Sequence, residues 1–253
     1  MASYPLSILQ WFDICKKTNI MILKKMISLK KIIVCILLLC CQSYLSAEIR
    51  IFCTAALIDE GFESRKSEYL HCFAILESFG YPDPYVVEAI KINGPTFLDD
   101  FSTYVYYSTT NNPSLKNKGV NEGRTMLEAL KAFNFDPEDM IVKITGRYHF
   151  TSDQFIRMIE DNPDIDGFVK NDGVPYSVIT GCFALRYHYI LDFLEHLNYG
   201  EMEKNMICIE WKLADFLQNI VVEKQAKIHY VNRLHLSAHV WGSPDYRPGT
   251  LNW

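Results

Sequence analysis

The sequence predicts an α/β fold, a central and mainly parallel sheet covered by helices. Two observations carry this expectation. From Glu48 onward, short runs rich in β-branched and aromatic residues alternate with stretches whose apolar residues recur every three or four positions. Gly80, the Asp136-Pro137 pair and Gly181 interrupt the pattern where an element should stop or bend.

Glu48–Leu57 begins with alternation and becomes continuously apolar, as a buried first strand does. Ser64–Phe79 carries Tyr69, Leu70, Phe73, Leu76 and Phe79 at helical spacing. Tyr85–Ile92 and Tyr104–Ser108 are strand-like. After the polar loop TTNNPSLKNKG, a helix starting near Asn121 places Met126, Leu127, Leu130 and Phe133 together. Met140–Thr145 is a strand. Ser152 and Asp153 are caps for a helix with Phe155, Ile156 and Ile159. Asp166–Lys170 and Tyr176–Leu185 are further strands, the second interrupted by Gly181. Ile190, Phe193, Leu194 and Leu197 mark a helix. Met206, Ile209, Leu213, Phe216 and Ile220 mark another, with the clearest amphipathic stepping in the chain. Lys227–Val231 is a last strand, and the tail from Leu236 is expected to pack irregularly.

Residues 1–47 read differently. Residues 1–31 hold six Lys and one acid, Asp13, leaving 19 basic and 29 acidic side chains over the rest. Ile32–Leu39 is unbroken apolar sequence, preceded by Lys24, Lys25, Lys30 and Lys31 and followed by small residues up to Ala47. That is the pattern of a signal peptide, with ordinary proportions if Met26 is the start. Left uncleaved, it is a signal-anchor, although spanning takes roughly 20 apolar residues. The expectation is therefore a leader over 1–47 and one α/β domain over 48–253, placed in the secretory pathway or at a membrane. The acidic balance of that domain argues against nucleic acid as a partner. Cys53, Cys72, Cys182 and Cys208 are widely spaced. They exclude a zinc knuckle and leave disulfides and buried thiols both open.

Four stretches are candidates for chemistry. Ser114–Glu122 (SLKNKGVNE) joins Lys116 and Lys118 to a helix start with Asn121, a combination suited to a diphosphate, although Glu122 opposes an anion. Lys143–His149 (KITGRYH) puts Lys143 in a strand and Arg147 just beyond its end. Val178–Tyr187 (VITGCFALRY) holds Thr180 and Gly181, where a glycine permits close approach. Glu210 sits at the edge of an apolar helix face, a place for a general base. Weak metal candidates are Asp164 and Asp166, a literal D-x-D, and His235 and His239, four apart.

In NKGVNE (Asn117–Glu122), KITGRY (Lys143–Tyr148), TGCFALR (Thr180–Arg186) and Ile209-Glu210, the chain resembles nucleotide-sugar glycosyltransferases of the GT-A type, whose fold is Rossmann-like. The closer likeness is to a bacterial and viral glycosyltransferase-like group. The resemblance spans roughly residues 48–240. It implies that Phe52, Thr54 and Ala55 meet the nucleotide, and that Lys116, Lys118, Asn121, Lys143 and Arg147 hold the donor diphosphate. Thr180 and Gly181 would border the donor or acceptor sugar, and Glu210 would be the catalytic base. Most such relatives place a metal-binding Asp-x-Asp where this chain has Thr145, Gly146 and Arg147. The resemblance thus leaves open a divalent cation, manganese or magnesium. The function expected is transfer of a hexosyl-type sugar from a nucleotide sugar to a glycan or lipid-linked acceptor. The rivals are a secreted or membrane-tethered binding domain without catalysis, and a metal-dependent hydrolase using Asp164, Asp166, His235 and His239.

Overall fold

The computed structural model describes residues 47–58, 62–90, 94–173, 176–239 and 250–252. Its centre is a seven-stranded sheet. In chain order the strands are β1 (Ile49–Ala55), β2 (Tyr85–Glu88), β3 (Val105–Tyr107), β4 (Met140–Thr145), β6 (Gly167–Val169), β7 (Cys182–Arg186) and β8 (Ile228–Tyr230). In space the order is β3-β2-β1-β4-β7-β6-β8. β1 runs parallel to both β2 and β4, β2 parallel to β3, and β6 parallel to β8. β7 runs against both β4 and β6. The sheet is therefore mixed, though parallel pairing dominates. The reversal has a local cause: the described residues between Lys170 and Gly181 contain no helix, so among them no crossover returns the chain to the starting edge.

Helices cover both faces, which is why β4 (MIVKIT) and β7 (CFALR) are buried nearly throughout. On one face α1 (Phe62–Ser78) and α3 (Gln154–Glu160) pack Tyr69, Phe73, Leu76, Phe155 and Ile159 against Ile51, Cys53, Val142 and Ile144. On the other, α2 (Lys118–Phe133), α4 (Tyr187–His196) and α6 (Ile209–Lys224) pack Met126, Leu130, Ile190, Leu213 and Leu217 against Phe52, Ile141 and Phe183. Alternating residues of one strand thus serve opposite cores.

Several boundaries differ from the sequence expectation. α2 begins at Lys118, capped by Asn117, whose side chain accepts from Gly119 N. Asp153 makes no capping bond to α3; its carboxylate takes Arg157 Nε at 2.5 Å instead. The periodic stretch from Met206 crosses a helix boundary. α5 (Tyr199–Asn205) ends at Met206, which adopts φ 53°, and α6 starts afresh at Ile209. β2 stops at Glu88, and the strand expected over Tyr176–Leu185 is reduced to Cys182–Arg186. The described part of the tail forms strands: β9 (Leu236–His239) pairs antiparallel with β5 (His149–Phe150) and with β10 (Thr250–Asn252). The leader expected over residues 1–47 falls, but for Ala47, outside the described residues. Among those described, no helix is long and apolar enough to cross a membrane. The four described cysteines are free thiols, and Cys53, Cys72 and Cys182 are buried in one core cluster.

Candidate active site

The carboxyl ends of β1, β2 and β4 lie along one edge of the sheet, beside the start of the reversed β7. Helices that follow parallel strands begin at this edge, and α2 does so after β3. α6 begins there too, because Thr180 Oγ1, just before β7, donates to Glu210 Oε1 at 2.8 Å. Ligands of open α/β sheets bind along such an edge.

Its centre is a buried ion pair. Lys143 is fully buried, and its ammonium donates to Glu122 Oε1 at 2.6 Å, to the Thr180 carbonyl at 2.7 Å and to Thr145 Oγ1 at 3.2 Å. An ammonium has three protons, and three acceptors take them. Lys143 therefore does not fill the diphosphate-binding role the resemblance implies for it, because no proton is left for a ligand. Glu122, expected to oppose an anion, is instead the counter-charge of Lys143.

Glu210 stands in the first turn of α6, where the helix dipole favours a carboxylate. Cys208 precedes it at the cap position; burial, then the nearby Glu210 charge, raises its thiol. Tyr148 closes another side. A Cβ added to Gly181 would lie 2.3 Å from Tyr148 Cε2, so the phenol ring rests on the bare glycine. Burial raises the Tyr148 hydroxyl, with the charges of Glu122 and Glu210 adding to it. The structure brings Thr180, Gly181 and Glu210 together, in the company of Lys143, Glu122, Thr145 and Tyr148.

The NKGVNE loop serves another purpose. The Glu203 carboxylate, from α5, accepts from Lys116 N and Asn117 N, both at 3.0 Å, and these bonds lower its pKa. Asn117 Nδ2 donates to the carbonyls of Met202 and Ile207. A Cβ on Gly119 would meet Ile209 at 3.1 Å, so the helix starts of α2 and α6 are in close contact there. Asn121 exchanges two bonds with the main chain of Asn112. The main-chain cradle expected for a diphosphate is therefore occupied by the protein's own carboxylate, and the Asn121 amide is committed to loop structure. Lys116 and Lys118 remain exposed.

Arg147 belongs to the opposite face. It stands 3.9 Å from Glu68 of α1, beyond hydrogen-bond reach, and both Arg147 Nη1 and Glu68 Oε2 are buried without a hydrogen bond. Tyr69 beside them accepts from Ala56 N, and burial pushes its hydroxyl up to about 12. Of the expected nucleotide contacts, Phe52 is wholly buried against Phe133 and Ala55 is closed into the α1 core. Neither is available to a base, because both belong to the apolar run that fills the sheet. Thr54 is half-buried at the edge, and its carbonyl accepts from Gly146 N.

The metal candidates separate. Asp166 immediately precedes β6, at the opposite edge of the sheet, where it accepts from Lys227 N, while Asp164 is paired with Lys227 Nζ. His235 lies beside β5, its carbonyl accepting from Thr151 N. Asp164, Asp166 and His235 are not brought together, the His239 side chain falls outside the described residues, and among the described residues no group of three or more His, Cys, Asp or Glu could hold a metal ion. At the β4 end the donors do not fit a divalent cation either. Thr145, Gly146 and Arg147 offer no carboxylate, and Glu122 is bound by Lys143.

No family model and no curated protein sequence matches the chain. Solved structures share its outline. A cytidylyltransferase from Leptospira borgpetersenii serovar Hardjo-bovis (strain JB197) gives a TM-score of 0.45 at 10% identity, covering 74% of this chain and 77% of that one. A 4-diphosphocytidyl-2C-methyl-D-erythritol synthase gives 0.42 at 10%, over 74% and 91%. A glycosyltransferase involved in glycosylation of the major capsid of PBCV-1 gives 0.35 at 11%, over 73% and 84%. Similarity at this level assigns no residue and no activity.

Proposed function

We propose that the chain is a glycosyltransferase that moves a sugar from a nucleotide-sugar donor to a hydroxyl of a glycan or lipid-linked acceptor, with Glu210 as general base. One observation carries the reading: a carboxylate on a helix start, fixed by the Thr180 hydroxyl at 2.8 Å, at the strand-end edge of a mainly parallel sheet. Glu210 takes the proton of the acceptor hydroxyl, whose oxygen attacks the anomeric carbon. The bond from that carbon to the diphosphate breaks, and the nucleoside diphosphate departs with the electron pair. Positive charge must meet the leaving group. The exposed Lys116 and Lys118 at the α2 start supply it, whereas Arg147 is held beside Glu68 on the opposite face. Lys143 does not take part directly, and no step passes through a metal ion.

The test is a thermal-shift screen of nucleoside diphosphates and nucleotide sugars, with and without manganese, followed by transfer assays. Glu210→Gln is expected to keep donor binding and to slow transfer by about 100-fold or more. Lys118→Ala is expected to weaken donor affinity about tenfold. Full transfer by Glu210→Gln would refute the assignment. Binding without turnover across acceptors would instead favour a non-catalytic binding domain.

A further inference from the structure

The geometry points to Thr180 as the positioning residue of the site, which sets the direction of the Glu210 carboxylate and is itself held by the buried Lys143–Glu122 pair. For its chemistry this rests on the transferase reading; for its geometry it does not. Thr180 is the junction of two bonds that run in opposite directions. Its hydroxyl donates to Glu210 Oε1 at 2.8 Å, and its carbonyl accepts from Lys143 Nζ at 2.7 Å. The sheet ladder holds the next residue instead: Gly181 O accepts from Thr145 N, and β7 begins at Cys182. Without Lys143, the Thr180 peptide at this strand end would lack that anchor.

The anchor is itself rigid. Lys143 is fully buried within β4, and its other protons are committed to Glu122 at 2.6 Å and Thr145 at 3.2 Å. A β-branched side chain has few χ1 choices, so a fixed Thr180 main chain fixes its hydroxyl. The hydroxyl in turn selects one orientation of a glutamate in the first turn of α6, whose carboxylate also takes a hydrogen bond from the Cys208 thiol. A buried ion pair is weak evidence for stability by itself. Here it transmits order from the sheet interior to a carboxylate at the surface edge, where a general base must meet its proton within hydrogen-bond reach.

The experiment compares Thr180→Val, which keeps the shape and removes the hydroxyl, with Thr180→Ser, which keeps the hydroxyl. On the full chain, three quantities are measured: the thermal midpoint, kcat and KM for transfer, and the rate at which a water-soluble carbodiimide with an amine modifies Glu210, followed by peptide mass spectrometry. Thr180→Val is expected to lower kcat by about 10- to 100-fold with donor KM nearly unchanged, as for loss of a hydrogen bond to a charged group. Thr180→Ser is expected to recover all but a few-fold of that loss. Modification of Glu210 should change severalfold in Thr180→Val and stay near the parent rate in Thr180→Ser. Equal kcat losses in the two variants, or an unchanged Glu210 modification rate in Thr180→Val, would overturn the inference. If the parent turns over no nucleotide sugar, the transferase reading fails, while the modification rates still decide whether Thr180 directs Glu210.

Discussion

Replacing Lys143 by Met tests the centre of the structure. Met matches the length and apolar body of Lys and removes only the ammonium. Three acceptors lose their donor: Glu122 Oε1, the Thr180 carbonyl and Thr145 Oγ1. Breaking a fully buried pair costs about 3–5 kcal/mol because one charge is left uncompensated. The Glu122 side chain is 31% exposed and can recover some water, so about 2–3 kcal/mol is expected for its part together with the stranded carbonyl. In urea, with a slope of about 2 kcal/mol per molar, the midpoint should fall by about 1–1.5 M at constant slope. The double variant Lys143→Met with Glu122→Leu removes both charges. It should be no less stable than Lys143→Met alone, so the coupling in the double-mutant cycle is at least the cost of Glu122→Leu by itself, about 3 kcal/mol for stranding a fully buried ammonium. Additive losses, or a midpoint unmoved by Lys143→Met, would show that the pair is not the anchor described.

Gly181→Ala places a methyl 2.3 Å from the Tyr148 ring. It should lower stability by about 1–3 kcal/mol through overpacking, whereas Gly200→Ala in α5, whose nearest neighbour is 3.6 Å away, should be neutral or stabilising in the same urea titration. Glu128 has a distinct acid sensitivity. Burial pushes its carboxyl up, but hydrogen bonds from Ser108, Thr109, Thr110 and Tyr106 outweigh this and bring it down to about 2 from 4.5. A depressed folded-state value stabilises the fold above about pH 4.5, and this contribution fades as pH falls toward 2. After discounting for solvent screening it is worth about 1 kcal/mol. Glu128→Gln should lose that amount at pH 7 and show a shallower acid unfolding curve, as followed by circular dichroism.

Periodicity exposed the alternation of strands and helices because both sheet faces are covered, and MIVKIT and CFALR could only be interior. It failed where elements are shorter than a period. The two residues of β5 carry no pattern, and β9 finds β5 as a partner far back in the chain. The break between α5 and α6 was hidden because Met206 continues the apolar stepping while its backbone turns left-handed. The site was half visible. Glu210 and Thr180 were marked by an acid at the edge of an apolar helix face and by a Thr-Gly between apolar residues. Lys143 held a further clue: a charge inside an otherwise apolar strand needs an internal partner more than a ligand. Phe52 likewise sat in a run that core packing claims first. Glu203 gave no local sign, since its contacts to Lys116 and Asn117 span 87 and 86 positions of sequence.

That distant glutamate has a chemical consequence for which anions the loop admits. A carboxylate tethered beside two amide protons competes at an effective concentration set by the fold, in the millimolar range or above. Free inorganic phosphate must evict it to reach those amides and gains little from the exchange. Discrimination at the α2 start is thereby shifted from main chain to side chains, and a small anion lacking further handles finds this corner already taken.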